Sequence, residues 1–236
     1  MRDAWRHCTA EFVGIFALVF VGGAAIMSSQ LTHADHPLLA VAAAHGLILA
    51  IMVTATMRIS GHLNPAVTIG FLVTRRIELV MGVIYIMAQL LGATLAAYAL
   101  KALFPHDVAT ATRLGGQALA LDVTFAQGVF AEAIATFFLV FAVFGTAVDT
   151  HAPKVGGFAI GLTVTADILA IGPLTGASMN PARSFGPAVA SGVFEAQGVF
   201  WIGPILGGIA AALLYDRLFL RRGKEPASHG PVEPTG

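Results

Sequence analysis

The chain has 236 residues, of which 57% are hydrophobic and only 11% are Asp, Glu, Lys or Arg, less than half the ~25% usual in a soluble domain. Basic and acidic side chains balance to a formal charge of zero, so no basic field suits nucleic acid, and the single cysteine, Cys8, excludes an internal disulfide or a multi-cysteine metal site. This is an integral membrane chain, and its 26 glycines spread through apolar runs favour closely packed spanning helices.

Six apolar segments are long enough, or nearly so, to span: about Ala10–Ser28, Leu38–Met57, Leu79–Leu100, Phe125–Val148, Gly156–Ile171 and Val199–Phe219. The first follows Arg2 and Arg6 and is open to a signal-peptide reading, but its internal partner argues against cleavage. After the second and the fifth segments comes the same short pattern, Asn64-Pro65-Ala66 and Asn180-Pro181-Ala182. Proline suits a first helical position and Asn an N-cap, so both mark helix starts. The apolar runs behind them, Ala66 to Val73 and Ala182 to Ala190, extend about nine residues, roughly 13 Å, or half of a ~30 Å hydrocarbon core. They read as two half-spanning helices.

The two halves of the chain repeat each other. Glu11, Phe16, Leu18, Val19 and Phe20 fall in register with Glu132, Phe137, Leu139, Val140 and Phe141, Gly46-Leu47 matches Gly161-Leu162, and Asn64 matches Asn180 with one residue fewer in the first half. Each repeat holds three spans and one half-helix, and an odd number of spans forces opposite orientations. The predicted fold is thus an all-α membrane protein of six transmembrane helices plus two re-entrant half-helices in an inverted 3+3 repeat. It forms a single transmembrane domain over residues 1–222, with repeats at about 9–100 and 125–219 and a disordered cytoplasmic tail at 223–236.

Positive residues set the orientation. Arg2, Arg6, Arg58, Arg75, Arg76, Lys154, Arg217, Arg221, Arg222 and Lys224 lie on the side of the termini, against Lys101 and Arg113 opposite, so both termini are cytoplasmic. The segments Gln30–Pro37, Lys101–Thr124 and Gly172–Gln197 are then external loops.

A half-helix starting at mid-membrane presents unsatisfied N–H groups and a partial positive charge of about +0.5. Two such ends facing each other are hostile to cations. Irregular backbone at this depth has to border protein or a water-filled path, so Ser60–Leu63 and Thr175–Met179 should line a path with their carbonyls, with Gly61, His62, Leu63, Gly176, Ser178 and Met179 as the pore-lining candidates. Asn64 and Asn180 would aim amide donors into the path, and a water accepting from both loses the hydrogen-bonded chain a proton needs. Arg183 sits nearly one helical turn outward, where the first half has Val67. It either bonds passing neutral solutes and repels cations, or is locked in an ion pair at the outer rim. Glu11 and Glu132 are either proton-relay carboxylates or braces accepting backbone N–H bonds, and their pairing by the repeat favours braces. His45 falls at the height of Arg183 and reads as pore-lining, whereas Asp167 reads as hydrogen-bonded away from the path. No nucleophile with its base, metal set or phosphate-cradling loop is present, so no enzyme activity, cofactor or metal is expected.

From Glu11 to about Phe219 the sequence resembles the aquaporin, or major intrinsic protein, family, through Ser60-Gly61-His62-Leu63-Asn64-Pro65-Ala66-Val67-Thr68, Ser178 to Pro187 and both Glu helices. The resemblance implies a homotetramer with one pore per protomer, passing water and small neutral solutes across a lipid bilayer in both directions. It also implies an outer filter of His45, Ile168, Ala177 and Arg183, similar to that of plant tonoplast intrinsic proteins. Ser184, Ala188, Phe200 and Trp201 match the water-channel side of the family. Water is therefore the expected cargo, with ammonia, urea, hydrogen peroxide or glycerol as further candidates. Three departures stand out: the loop before His62 is one residue short, Arg58 stands where His or Asn is common, and Ala177 stands where mercury-sensitive members have Cys. A proton-coupled carrier and a structural membrane protein are the competing readings. Short loops and the lack of long tails point to a bacterial inner membrane, with a vacuolar address left open by the filter likeness.

Overall fold

A computed structural model describes residues 4–153 and 155–220. The tail expected at 223–236, and Arg2, Lys154, Arg221, Arg222 and Lys224 of the charge count, lie outside the described residues. The long helices are α1 (Ala4–Leu31), α2 (Leu38–Thr56), α4 (Leu79–Leu103), α6 (Phe125–Val143), α7 (Gly156–Thr175) and α9 (Val199–Leu218), and α6 runs on through a π-helical turn, Phe144–Val148. All six spans are long and apolar enough to cross a membrane. Between them stand two short helices, α3 (Pro65–Val73) and α8 (Pro181–Ser191), each with Pro at its start and an Asn cap. A third short helix, α5 (His106–Ala111), follows α4.

The packing obeys the repeat. α1 packs on α4 and α2, while α6 packs on α9 and α7; α2 meets α7; and each half-helix lies against a long helix of the other half, α3 on α9 and α8 on α4. Exchanging α1 with α6, α2 with α7, α3 with α8 and α4 with α9 maps this set onto itself, as an inverted repeat requires. At the α2–α7 crossing the matched glycines meet: a Cβ on Gly161 would lie 2.2 Å from the Gly46 carbonyl oxygen. Only glycine permits that approach, and without hydrophobic drive between helices in lipid such close van der Waals packing is what holds them.

Two boundaries differ from the sequence reading. The fifth span, expected to end at Ile171, continues as α7 to Thr175 and closes on Gly176 at φ 79°, with Pro173 inside it. Proline is tolerated because its lost bond falls within the last turn, and the left-handed glycine ends the helix. The expected external loop at Lys101–Thr124 is not irregular throughout: it carries α5 and a 3-10 turn at Arg113–Gly115, packed on α1 and α8.

Candidate functional site

The two half-helices meet head to head. Asn64 Oδ1 accepts from Ala66 N at 2.8 Å, and Asn180 Oδ1 accepts from Ala182 N at 3.1 Å, so each oxygen caps its own helix. The amides reach across: Asn64 Nδ2 donates to Met179 O and Asn180 Nδ2 to Leu63 O, both at 2.8 Å. One hydrogen of each amide is thereby used in a reciprocal clasp, and the second remains for the path. The clasped residues are strained, with Leu63 at φ 50° and Met179 at φ 53°. Such a conformation costs about 1–3 kcal/mol for an L-residue. It is held because both backbone groups are engaged: the carbonyl by the opposite Asn, and the N–H by Glu11 Oε2 at 2.6 Å or Glu132 Oε2 at 2.7 Å.

The two carboxylates brace the loops. Glu11 also accepts from Ser60 Oγ, Gly61 N, His62 N and Gln89 Nε2, and Glu132 from Thr175 Oγ1 and Ser178 N. Both are fully buried, and a buried carboxylate is tolerated only with such a complement of donors. Gln89, Thr68, Ser60 and Thr175 belong to this bracing network. Of these only Gln89, an amide inside an apolar span, was not singled out in the sequence, and its polarity there was the available signal.

Between the clasp and its flanks runs a narrow cavity of about 20 Å³. A water needs about 10–15 Å³, so the space has room for little more than one water. His45, Gly61, His62, Leu63, Asn64, Ala177, Ser178, Met179, Asn180 and Arg183 line it, together with apolar Leu18, Leu49, Leu139 and Val164. No Asp or Glu side chain is in that lining. Among the described residues nothing donates to the carbonyls of Gly61, His62, Ala177 or Ser178, which leaves them as acceptors along the wall. At the end on the side of the termini lies a vestibule of about 370 Å³ with His62, Phe71, Arg76 and Tyr85 in its walls, and Arg58 is exposed outside it.

At the other end Arg183 Nη2 donates to His45 Nε2 at 2.9 Å, and His45 Nδ1 donates to Val41 O at 2.8 Å. These roles fix the neutral Nδ1–H tautomer. No carboxylate pairs with Arg183 among the described residues, so the rim ion pair weighed for it is absent. Gly22 on α1 makes room for the imidazole, since a Cβ there would lie 2.2 Å from His45 Nε2.

Three expectations are corrected. Ile168 is buried but does not line the cavity; Val164, one turn inward on α7, takes that wall. Gly176 caps α7 and turns against Gln117 rather than lining the path. Asp167 is buried, but its Oδ2 has no hydrogen-bond partner among the described residues.

The sequence matches the family described as Major intrinsic protein over residues 1–215. It is 44% identical over 227 residues to Aquaporin TIP4-4 of Zea mays, covering 92% of this chain and 88% of that one. To Aquaporin TIP2-1 of Arabidopsis thaliana it is 44% identical over 224 residues, covering 91% and 88%. In fold it superposes on the X-ray structure of the aquaglyceroporin from Plasmodium falciparum with a TM-score of 0.81 at 23% identity, covering 91% of this chain and 96% of that one. These relatives from plants lend no support to the expected bacterial inner membrane. A match of this extent settles the class of protein: the chain belongs to the major intrinsic protein family.

Proposed function

We propose that the protein is a passive channel that conducts water, and secondarily small neutral solutes, while excluding protons and ions. The observation carrying this reading is a cavity with room for little more than one water that is lined by Asn64, Asn180 and Arg183 and has no carboxylate in its lining. A carrier coupled to protons needs a titratable acid in reach of substrate, yet Glu11 and Glu132 are saturated with donors behind the loops. At the clasp, two helix N-termini and two free amide hydrogens favour a neutral oxygen and repel a cation. Outward, Arg183 presents donors and a fixed positive charge.

The full reading has four copies, each with its own pore, in a membrane with both termini cytoplasmic. The orientation in that reading is supported by Arg6, Arg58, Arg75, Arg76 and Arg217 lying at the end opposite to Lys101 and Arg113. Stopped-flow light scattering on proteoliposomes tests the function. The expected result is fast, non-saturating water flow with low activation energy and no proton current, with smaller fluxes of ammonia, urea, hydrogen peroxide and glycerol. Liposomes that shrink no faster than empty ones refute it, and native mass spectrometry in detergent tests the tetramer.

A further inference from the structure

The repeat relates the far ends of α4 and α9. Gly92 approaches the Phe12 carbonyl and Gly207 the Ala133 carbonyl at matching places, and this register sets Lys101 opposite Asp216. On the side of the termini the charge is complete: Asp216 Oδ1 accepts from Arg76 Nη2 at 2.7 Å, just beyond the end of α3. On the other side the acid is replaced by Lys101, which donates to Ala190 O in the last turn of α8 at 2.8 Å, and the place of Arg76 falls to Gly192. The outer copy therefore holds a cation where the inner copy holds an ion pair.

Around Lys101 lies a pocket of about 200 Å³, with His106, Arg113, Thr110 and Ser191 among its walls. Arg113 Nη2 pairs at 3.1 Å with Glu195, whose side chain is 69% exposed, and Arg113 Nη1 has no partner. Asp107, beside His106 on α5, is exposed. Beneath the pocket, α4 turns one apolar stripe outward, Met87, Leu91, Leu95 and Tyr98, each about half exposed. From Met87 to Lys101 the helix rises roughly 21 Å, which spans more than one leaflet of a ~30 Å core and ends at the cationic pocket.

We propose that this pocket holds the phosphate of an anionic membrane lipid in the leaflet opposite the termini, with its acyl chains along the α4 stripe. Lys101 keeps two N–H donors beyond the one given to Ala190, and Arg113 adds a fixed cation. A basic group near a charged lipid surface is worth about 1 kcal/mol, or about fivefold in affinity. Neither residue lines the central cavity, so the proposal is independent of the channel reading.

The test is native mass spectrometry of the full chain released from vesicles of mixed phosphatidylglycerol and phosphatidylcholine. Wild type should retain phosphatidylglycerol selectively. Lys101→Gln, which keeps an amide donor for Ala190, and Arg113→Gln should each lower that preference about fivefold. Glu195→Gln removes the competing acid and should raise it, a gain that no misfolded variant produces. Water permeability should not change in any of the three. Equal retention of the two lipids, or a preference that all three substitutions leave unchanged, overturns the assignment. So does displacement of phosphatidylglycerol by millimolar inorganic phosphate, which would make this a pocket for a free anion.

Discussion

Gly22→Ala tests the outer constriction through a residue that touches no solute. The added Cβ would stand 2.2 Å from His45 Nε2, 2.4 Å from Cδ2 and 2.6 Å from Cε1, where real Cβ contacts essentially never fall under 3.0 Å. The ring has to move by about 1 Å, since α1 backs it, and the open direction is the cavity it lines. That motion breaks the Nε2 bond to Arg183, a bond to a charged donor worth about 1.5–3 kcal/mol. Overpacking that does not relax costs about 1–3 kcal/mol, and the two overlap because the ring's escape relieves the clash. Taking about 3 kcal/mol in all, the melting temperature falls by roughly 6–12 °C. Flow suffers more, because a cavity with room for little more than one water now contains a displaced imidazole, and every 1.4 kcal/mol added to the barrier is about tenfold in rate. Stopped-flow permeability per reconstituted protein should drop about tenfold or more, and His45→Ala in the same chain should restore both flow and stability. If Gly22→Ala conducts and melts like wild type, or the double variant is no better than the single, the argument is wrong.

Other substitutions probe the remaining parts. Arg183→Val removes the one guanidinium in the cavity lining and should admit a cation current under voltage clamp while water flow is kept. Glu132→Gln sets an amide NH₂ against the Thr175, Ser178 and Met179 donors and should lower stability by about 2–4 kcal/mol, read as a loss of melting temperature. Glu11→Gln, with more donors to disappoint, should lose more. Because Ala177 stands in the cavity wall, wild type should be weakly blocked by mercurials and Ala177→Cys strongly, with Cys8→Ser as the control; strong block of the wild type that persists in Cys8→Ser contradicts this.

The architecture was legible because its signals are local and doubled. Long apolar runs give the spans, Asn-Pro gives two capped starts, and Glu11 matched with Glu132 gives the repeat. What stayed hidden depends on rotation about a helix axis and on partners distant in sequence. Ile168 and Val164 are both apolar and one turn apart on α7, and nothing in either residue says which one the cavity ends against. The bond from each Asn amide to the opposite loop spans more than a hundred residues, and a residue identity cannot announce it. Gly22 passed for one more small residue in an apolar run, although its lack of a side chain is what lets His45 stand where it does.

On the proposed channel reading selectivity arises where the repeat is broken, and the geometry predicts that the breaks are coupled. Around the cavity Leu18 pairs with Leu139, Leu49 with Val164, Leu63 with Met179 and Asn64 with Asn180, and these pairs keep their chemistry. The same registers set Arg183 against Val67, His45 against Ile160 and Gly22 against Val143. In the outer half the cation, its imidazole partner and the space for that imidazole occur together; in the inner half all three are aliphatic. A second constriction should therefore need three changes at once. Val67→Arg with Ile160→His inserts an unpaired charge and an imidazole with no room, and should unfold or lose several kcal/mol. Adding Val143→Gly, which by itself removes packing and destabilises, should reverse part of that loss, so that the triple variant melts above the double. It should also pass less glycerol relative to water than wild type. A Val143→Gly effect equally unfavourable in both backgrounds would show that the three positions are not coupled, and that Gly22 and His45 owe their places to something other than each other.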